Sequence, residues 1–399
     1  MQEKVSYNVS LAGNTGNTAK VGEMVTTGDR CAFRYHKPFL ESLGAFPIDP
    51  KNLAVKTRLH STGSVLFGVF EDSLPDGWGR KLMAARYKLS HAEQSTHLLL
   101  RFLDEKSMGA LRYELLGSGK TEVESDSINS IGMLAQAARD FEKGELSDEV
   151  MLQRLFNSAG SPGGAHPKAS VYGKNGSLLL VKFPSINDRY DIVGLEASCL
   201  ELAQMAGIQT PVFSVIEAGG IKMLCLDRFD RVGNGCRHMI SMQSLLNVSG
   251  YYNSSYVQMA DMVREVSSIP EQDLHTLFRQ MIFNALIGNT DDHLKNFSML
   301  FDNGYRLTPA YDILPNVNRN VGHTLSFLHN NIGPRRQEAV GSLARRFKIN
   351  RKLAESMVDE IVDTVVTHWR AVCKNNGVPD EEVSSFYMQI EQQRKKLTD

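Results

Sequence analysis

The sequence predicts an α+β fold with two lobes, preceded by a small N-terminal α/β domain and completed by a mainly helical C-terminal lobe. Strand-like runs dominate residues 168–226, and the chain beyond Ser241 is mainly helical in pattern. A length of 399 residues exceeds the size at which one hydrophobic core usually stops growing, so two or three packed units are expected. A β-rich segment followed by a helical one favours an enzyme with a cleft at their junction.

The composition is that of an ordinary folded protein and narrows the classes of function. Hydrophobic residues make up 42% of the chain and charged residues 22%, which excludes wholesale disorder. The formal net charge of −1 gives no global field that would draw the protein onto DNA or an anionic membrane. No run approaches the roughly 20 apolar residues that span a bilayer, so we expect a cytoplasmic protein without membrane contact. The five widely spaced cysteines indicate neither a disulfide framework nor a zinc site.

The first predicted domain covers residues 1–116 and mixes short strands with helix. Val5 to Leu11 alternates polar and apolar residues, as a half-buried strand does. A helical stretch near Arg80 to Tyr87 follows the turn at Leu74 to Gly77. Residues 117–129 are rich in Gly, Ser, Glu and Asp and are predicted to form a linker.

The second predicted domain, residues 130–229, is the N-lobe. A hairpin is expected within it because Asn175-Gly176 separates two alternating runs and both residues tolerate positive φ. Apolar spacing predicts helices over 128–142, 148–156 and 192–206, and strands over 168–172, 177–183, 212–216 and 221–226. Residues 230–399 form the predicted helical C-lobe, interrupted by one hairpin with strands at Ser298 to Phe301 and Tyr305 to Thr308.

An acidic loop in the predicted C-lobe has the spacing of a phosphoryl-transfer site. Asp291 and Asn296 follow the pattern Asp-x-x-x-x-Asn, in which the carboxylate accepts the proton of the attacking hydroxyl and the amide binds a metal. That pair alone is weak, because a polar helix-capping turn has the same composition. Asp312 follows 16 residues after Asn296, across the predicted hairpin, where it would be the principal Mg²⁺ ligand. The three residues together predict a kinase site that uses ATP and Mg²⁺.

Lys182 is the predicted phosphate contact of the N-lobe. It ends the apolar run Leu178 to Lys182, and a buried lysine is costly unless its charge is paired with a phosphate or a carboxylate. The alternative is a strand-end lysine that reaches solvent. Glu196 is the candidate ion-pair partner, although Asp191 and Glu201 could also serve.

Small residues fill the segment Ser158 to Lys168, ahead of the predicted hairpin. Consecutive small residues let backbone amides approach an anion closely and form a phosphate-binding loop. By composition alone a plain turn is equally compatible. The surrounding motifs favour the phosphate-binding interpretation.

Taken together, these residues resemble the HipA family of bacterial toxin kinases. The resemblance lies in the loop Ser161 to Ala165, the strand-borne Lys182 and the loop Gly288 to Asn296. It extends into the first domain, at Asp72 to Arg80 and at Asp104 to Ala110, and so covers nearly the whole chain.

The resemblance implies a two-lobed, protein-kinase-like fold and a Ser/Thr protein kinase whose partner is a DNA-binding antitoxin of the HipB type. It also implies a protein substrate from translation, such as an aminoacyl-tRNA synthetase, and autophosphorylation of Ser161. Asp291 would be the catalytic base, Asn296 and Asp312 the metal ligands, and Leu226 to Asp230 the hinge between lobes. The implied nucleotide-binding residues are Gly163, Gly164, Ala165, Lys168, Lys182, Asp227, Phe229, His293 and Lys295. His166 departs from the family pattern, in which an arginine is frequent there.

Two other interpretations remain open. A small-molecule kinase would use the same metal-site chemistry, and a DNA-bound co-repressor would carry an idle site. The intact Asp291, Asn296, Asp312 and Lys182 favour an active enzyme. Five basic residues between Arg345 and Lys352 could contact DNA phosphates in a complex with the antitoxin, or could be a solvated helix face.

Overall fold

A computed structural model of the chain describes residues 4–116, 126–159, 166–250, 254–317 and 322–399. The chain divides into two compact units. The first unit comprises Met1–Ile186 with Ile216–Ile240, and the second comprises Asn187–Val215 with Ser241–Asp399. Within the described ranges no helix is long and apolar enough to cross a membrane. The boundaries at 116, 129 and 229 stay predictions.

In the described part of the chain the strands occur mainly before Met242, as the sequence predicted. In chain order they are β1 (Lys4–Ala12), β2 (Thr18–Thr27), β3 (Arg30–Tyr35), β4 (His60–Thr62), β5 (Leu111–Leu115), β6 (Lys168–Tyr172), β7 (Leu178–Lys182), β8 (Phe213–Ala218), β9 (Ile221–Asp227), β10 (Arg231–Val232), β11 (Gly235–Cys236), β12 (His238–Ser241), β13 (Ser298–Phe301) and β14 (Tyr305–Leu307).

The longest helices lie toward the C-terminal end. In chain order the helices are α1 (Lys37–Leu40), α2 (Gly68–Glu71), α3 (Gly77–Tyr87), α4 (Thr96–Leu99), α5 (Ile131–Lys143), α6 (Glu149–Ala159), α7 (Ile192–Met205), α8 (Met242–Leu246), α9 (Tyr256–Val266), α10 (Pro270–Ile287), α11 (Ala344–Arg346), α12 (Arg351–Asn375) and α13 (Asp380–Thr398). Short 3₁₀ turns occupy Ala92–Gln94, Leu100–Phe102, Ile128–Ser130 and Leu294–Asn296, and a π-helix occupies Glu338–Leu343.

Within residues 4–116 the strands form one antiparallel sheet in the order β4-β3-β2-β1-β5. The alternation that predicted β1 is the burial pattern of the strand, with Val5, Tyr7, Val9 and Leu11 inside. The register shifts by one residue after Val9, which marks a β-bulge. The sheet and α1–α4 make up the N-terminal part of the first unit.

The predicted N-lobe hairpin is confirmed. β6 and β7 pair antiparallel around Gly176, which has a φ of +79°, and the sheet continues as β6-β7-β9-β8. The helix predicted over 128–142 begins instead as a 3₁₀ turn at Ile128–Ser130 and becomes α-helical at Ile131. α6 follows and ends at Ala159, next to the small-residue segment.

The second unit is built around α10. The side chains of this helix from Gln280 to Ile287 are buried, and α12 packs against α10, α7 and α13. Trp369 on α12 is fully buried, and its indole N–H donates to the carbonyl of Val383 at 3.0 Å. The predicted C-lobe hairpin is present as β13 and β14, joined through Gly304 with a φ of +143°.

A close backbone approach fixes the hairpin formed by β10 and β11 in the first unit. Gly235 lies so near the turn after β1 that a Cβ there would be 2.0 Å from the carbonyl oxygen of Gly13. The amide of Cys236 donates to that same oxygen at 3.3 Å. Glycine is required at position 235 by space, since its φ is not positive.

We predict that Gly235→Ala lowers the free energy of unfolding by about 2 kcal/mol, because the added methyl group must push two backbone segments apart. Gly63→Ala is the matched control, since no atom lies within 4 Å of its added Cβ. Denaturant unfolding of the two variants measures the difference. Equal midpoints for the two would contradict the close approach.

Candidate active site

The acidic loop is positioned by the end of α10. Gly288 caps this helix with a φ of +72°, and the amide of Asn289 donates back to the carbonyl of Asn284 at 2.9 Å. An added Cβ at Gly288 would meet no atom closer than 3.8 Å, so space does not require glycine at this position. Glycine is favoured because the backbone is left-handed there. The chain therefore leaves the core at a defined angle and enters the acidic loop.

Asp291 and Asn296 are joined by a hydrogen bond across this loop. Asp291 is exposed, whereas Asn296 is buried in the 3₁₀ turn Leu294–Asn296. The side-chain N–H of Asn296 donates to the backbone carbonyl of Asp291 at 2.9 Å. This bond engages the amide nitrogen of Asn296, so the amide oxygen is the side-chain atom that could bind a cation.

Tyr311 ties the segment that carries Asp312 to the same loop. Its hydroxyl donates to the carbonyl of Lys295 at 2.8 Å and lies 2.8 Å from the hydroxyl of Ser298. Asp312 itself has a φ of +54°, a left-handed conformation that costs a residue with a Cβ on the order of 1 kcal/mol. The Tyr311 contacts tie the residue that precedes Asp312 to the loop that contains Lys295 and Asn296.

The residues present fit a kinase-type Mg²⁺ site. Mg²⁺ usually binds one or two protein oxygen ligands and completes its shell with water and substrate phosphates. Asp312 and Asn296 each carry a side-chain oxygen of the kind that Mg²⁺ binds. Among the described residues no group of three or more His, Cys, Asp or Glu side chains could hold a metal by itself.

Asp292 organises the loop from beneath, a role that the sequence pattern did not reveal. Its carboxylate is buried and accepts hydrogen bonds from Tyr256 at 2.7 Å and from Nδ1 of His323 at 3.0 Å. It also accepts from the backbone amides of Thr324 at 2.9 Å and Leu325 at 3.3 Å. Four donors on one carboxylate fix its position and that of the neighbouring Asp291.

The phenol of Tyr256 remains a donor over the working pH range. Burial and the adjacent Asp292 carboxylate raise the pKa of Tyr256 well above its ordinary value. Asn284 completes the network by donating to the phenolic oxygen at 3.1 Å. The adjacent acids Asp291 and Asp292 could have indicated that one of the two is buried, because only one of them can face a substrate. Nothing in the sequence pointed to Tyr256 or His323 as partners of the buried acid.

The first unit contains two lysines directly opposite each other. Lys168 on β6 and Lys182 on β7 are cross-strand partners, and they are only 4% and 9% exposed. Directly opposed side chains point to the same face, and like charges there repel. The low exposure of Lys182 excludes the alternative of a strand-end lysine that reaches solvent. Burial and like-charge repulsion both disfavour this pairing, so each ammonium requires a compensating interaction.

The remaining predicted residues are placed as follows. Asp227 is exposed at the end of β9, and Phe229 is half-buried just after it. His293 and Lys295 lie within the acidic loop and are half-buried. Ser161, Gly163, Gly164 and Ala165 lie outside the described residues.

The proposed partner of Lys182 stays a prediction, but the structure assigns other roles to its two alternatives. Glu196 is buried on α7 of the second unit. Asp191 caps the same helix by accepting from the amide of Gly194 at 3.0 Å. Glu201 accepts from the side chain of Asn376 at 3.0 Å.

This fold and loop geometry define a kinase-like α+β protein, and comparison with known proteins identifies its family. Residues 160–369 match the family model described as the HipA-like C-terminal domain, and residues 15–114 match that of the HipA N-terminal domain. The chain belongs to the HipA family. The fold predicted from the sequence, a two-lobed kinase-like fold with a small N-terminal domain and a mainly helical C-terminal lobe, is confirmed.

Individual relatives are distant but cover most of the chain. A candidate kinase named Y4dM from Sinorhizobium fredii is 23% identical over 89% of this chain and 91% of its own length. The Ser/Thr protein kinase toxin HipA of Shewanella oneidensis is 24% identical over 74% of this chain and 72% of its own. A chain in the structure of the HipA, HipB and operator DNA complex from Shewanella oneidensis MR-1 superposes with a TM-score of 0.72 at 18% identity. That match covers 98% of this chain and 96% of the other, and it establishes the fold.

We predict that Asp292→Asn lowers the free energy of unfolding by about 2 to 3 kcal/mol. The amide offers one acceptor oxygen where the carboxylate offers two, so buried donors lose their partners. Thermal or denaturant unfolding measures the change. Asp363→Asn, at an exposed position on α12, is the control and should unfold like the wild type. A wild-type midpoint for Asp292→Asn would remove the organising role given to this carboxylate.

Proposed function

We propose that the protein is an ATP- and Mg²⁺-dependent kinase that phosphorylates Ser or Thr of a protein. The observation that supports the proposal is a set of hydrogen bonds that ties together the backbone segments of Asp291, Asn296 and Asp312. Asn296 is bonded to the backbone of Asp291, and Tyr311 bonds the segment of Asp312 to the neighbouring Lys295. Phosphoryl transfer asks for this set: a carboxylate at the attacking hydroxyl and two oxygen ligands for the metal.

Each residue has a defined role in this proposal. The exposed carboxylate of Asp291 orients the substrate hydroxyl and accepts its proton. Asn296 and Asp312 would hold Mg²⁺, which when bound neutralises the charge on the phosphates. Lys168 and Lys182 would bind the phosphates as a cationic pair, together with the loop containing Gly163, Gly164 and Ala165. Asp227 and Phe229 would contact the adenine, and His293 and Lys295 would flank the nucleotide.

The proposed partners follow from the family. A HipA relative is named a Ser/Thr protein kinase toxin, and a structural relative was solved with HipB and operator DNA. We therefore propose a DNA-binding antitoxin of the HipB type as partner, and a protein from translation, such as an aminoacyl-tRNA synthetase, as substrate. Autophosphorylation of Ser161 would add charge inside the phosphate-binding loop and should repel ATP.

We predict that Asp291→Asn and Asp312→Asn each reduce phosphoryl transfer by roughly 10² to 10⁴-fold, because each removes a proton acceptor or a metal ligand. Asn296→Ala should be inactive or should demand much more Mg²⁺. The assay is incubation of each variant with labelled ATP and host lysate, followed by identification of the labelled species. Asp302→Asn, in the exposed turn between β13 and β14, is the matched control.

The same assay separates the alternatives. Label in a small metabolite and in no protein would indicate a small-molecule kinase, and no label at all would indicate an idle site in a co-repressor. Phosphopeptide mapping of the wild type after long incubation should find phosphate on Ser161. Transfer at the wild-type rate by Asp312→Asn would refute the metal-site assignment.

The basic segment near α11 gives a prediction about DNA. Arg346 pairs with Asp261 at 3.0 Å and Arg351 with Glu355 at 2.8 Å, whereas Arg345 reaches only Ser342 Oγ at 3.5 Å. Arg345 and Lys348 are both exposed. They are consequently the best candidates for binding DNA phosphates in an antitoxin complex, because the acids that neutralise Arg346 and Arg351 do not engage them.

We predict that replacing Arg345 and Lys348 together by Ala reduces the salt slope of operator binding by about 0.9 for each DNA phosphate that the variant no longer neutralises. Affinity of the kinase–antitoxin complex for operator DNA is measured at several salt concentrations. Replacing Lys395 and Lys396 on α13 removes the same charge elsewhere and is the control. An unchanged slope would show that the segment is a solvated surface.

A further inference from the structure

A loop of the N-terminal part of the first unit reaches two places that flank the proposed nucleotide site. This loop, Asp104 to Gly109, precedes β5 and is shaped by the carboxylate of Asp104, which accepts from the amide of Lys106 at 2.9 Å. Its hydrogen bonds bridge large separations along the chain, 51 residues to α6 and 121 to 122 residues to the segment after β9. We call it the bridging loop.

The first place is the end of α6. The side chain of Lys106 is buried, and its ammonium donates to the backbone carbonyl of Asn157 at 2.9 Å. This carbonyl belongs to the last turn of the helix, where carbonyls have no intrahelical partner and the helix dipole is negative. Burial lowers the pKa of Lys106, so the enclosed ammonium depends on this hydrogen bond and on nearby acids for its charge.

The second place is the segment that follows β9. The guanidinium of Arg228 is buried and donates to the backbone carbonyls of Lys106 and Ser107 in the bridging loop. Its partner Asp230 is also buried and accepts from the amide of Gly109 at 2.8 Å. Although burial alone would raise the pKa of Asp230, the Arg228 charge lowers it below its ordinary value.

Arg228 also connects the bridging loop to the lysine-bearing sheet. One guanidinium N–H lies 3.3 Å from the hydroxyl of Ser170 on β6, two residues beyond Lys168. Arg228 itself directly follows Asp227, the proposed adenine contact. The bridging loop and Arg228 thus connect the end of α6, the middle of β6 and the segment after β9 in one hydrogen-bonded cluster.

We propose that the bridging loop is a positioning element that sets the affinity of the nucleotide site for ATP. Lys106 fixes the end of α6, from which the chain enters the predicted phosphate-binding loop. Arg228 fixes the residues beside the predicted adenine contact. This inference rests on the proposed function, and it assigns to the N-terminal part of the chain an indirect role in nucleotide binding.

The expected signature is a change in affinity without a change in chemistry. The residues proposed to carry out phosphoryl transfer, Asp291, Asn296 and Asp312, belong to the other compact unit. A looser bridging loop should weaken the ground-state and transition-state complexes equally, because both contain the same bound nucleotide. Such uniform weakening raises KM and leaves kcat unchanged.

The test is Lys106→Met in the full-length protein, which keeps the apolar stem and removes the ammonium. Binding of Mg·ATP is measured by calorimetry with a non-hydrolysable ATP analogue, and KM and kcat from the initial rate of autophosphorylation at several ATP concentrations. We expect Kd and KM for ATP to rise about tenfold, as the loss of one charge-assisted bond allows, with kcat within about twofold of wild type. Asp104→Ala, which loosens the same loop without removing the lysine, should act in the same direction and serves if Lys106→Met does not fold.

Lys88→Met is the matched control. Lys88 pairs with Glu149 at the start of α6, at 2.8 Å, and both side chains are mostly exposed. It should leave Kd and KM unchanged. Wild-type affinity in a folded Lys106→Met or Asp104→Ala protein would overturn the inference, as would a fall in kcat with unchanged KM. Failure of the wild type to bind Mg·ATP would instead refute the proposed function.

Discussion

The buried carboxylate of Asp292 is the constraint on which the candidate site depends. A carboxylate removed from water is stable only when donors surround it, and here two side chains and two backbone amides do so. Those donors come from α9 and from the segment after Asp312, which are far apart along the chain. Asp291 directly precedes Asp292 in the chain, so the hydrogen bonds that hold Asp292 also fix the backbone of Asp291.

The adjacent acids Asp291 and Asp292 differ in burial and in hydrogen bonding. Asp292 is held by four hydrogen bonds. Asp291 is exposed, and its backbone carbonyl is joined to the turn of Asn296 by a hydrogen bond. A rigid backbone beneath an accessible carboxylate is what a general base requires, because the geometry must be set before the substrate arrives. Asp312 is held at positive φ, which stores a small backbone strain in the same region of the chain.

The sequence predicted those features that depend on local pattern. Alternation located β1, Asn175-Gly176 located the β6–β7 hairpin, and the spacing of Asp291 and Asn296 located the acidic loop. It could not predict contacts between residues far apart in the chain, because single-sequence periodicity contains no information about which distant elements pack together. The partners of Asp292 and the hydrogen bonds of the bridging loop are of this kind. The start of α5 differed by one 3₁₀ turn, which is the usual uncertainty at a helix end.

The register of β6 and β7 adds an electrostatic argument that composition could not supply. The net charge of the chain is −1, yet Lys168 and Lys182 are placed on one face with little exposure. Like charges opposed on one face repel and burial penalises each charge, so this pairing requires compensating interactions. A net charge close to zero thus conceals a local concentration of positive charge, which the strand register reveals.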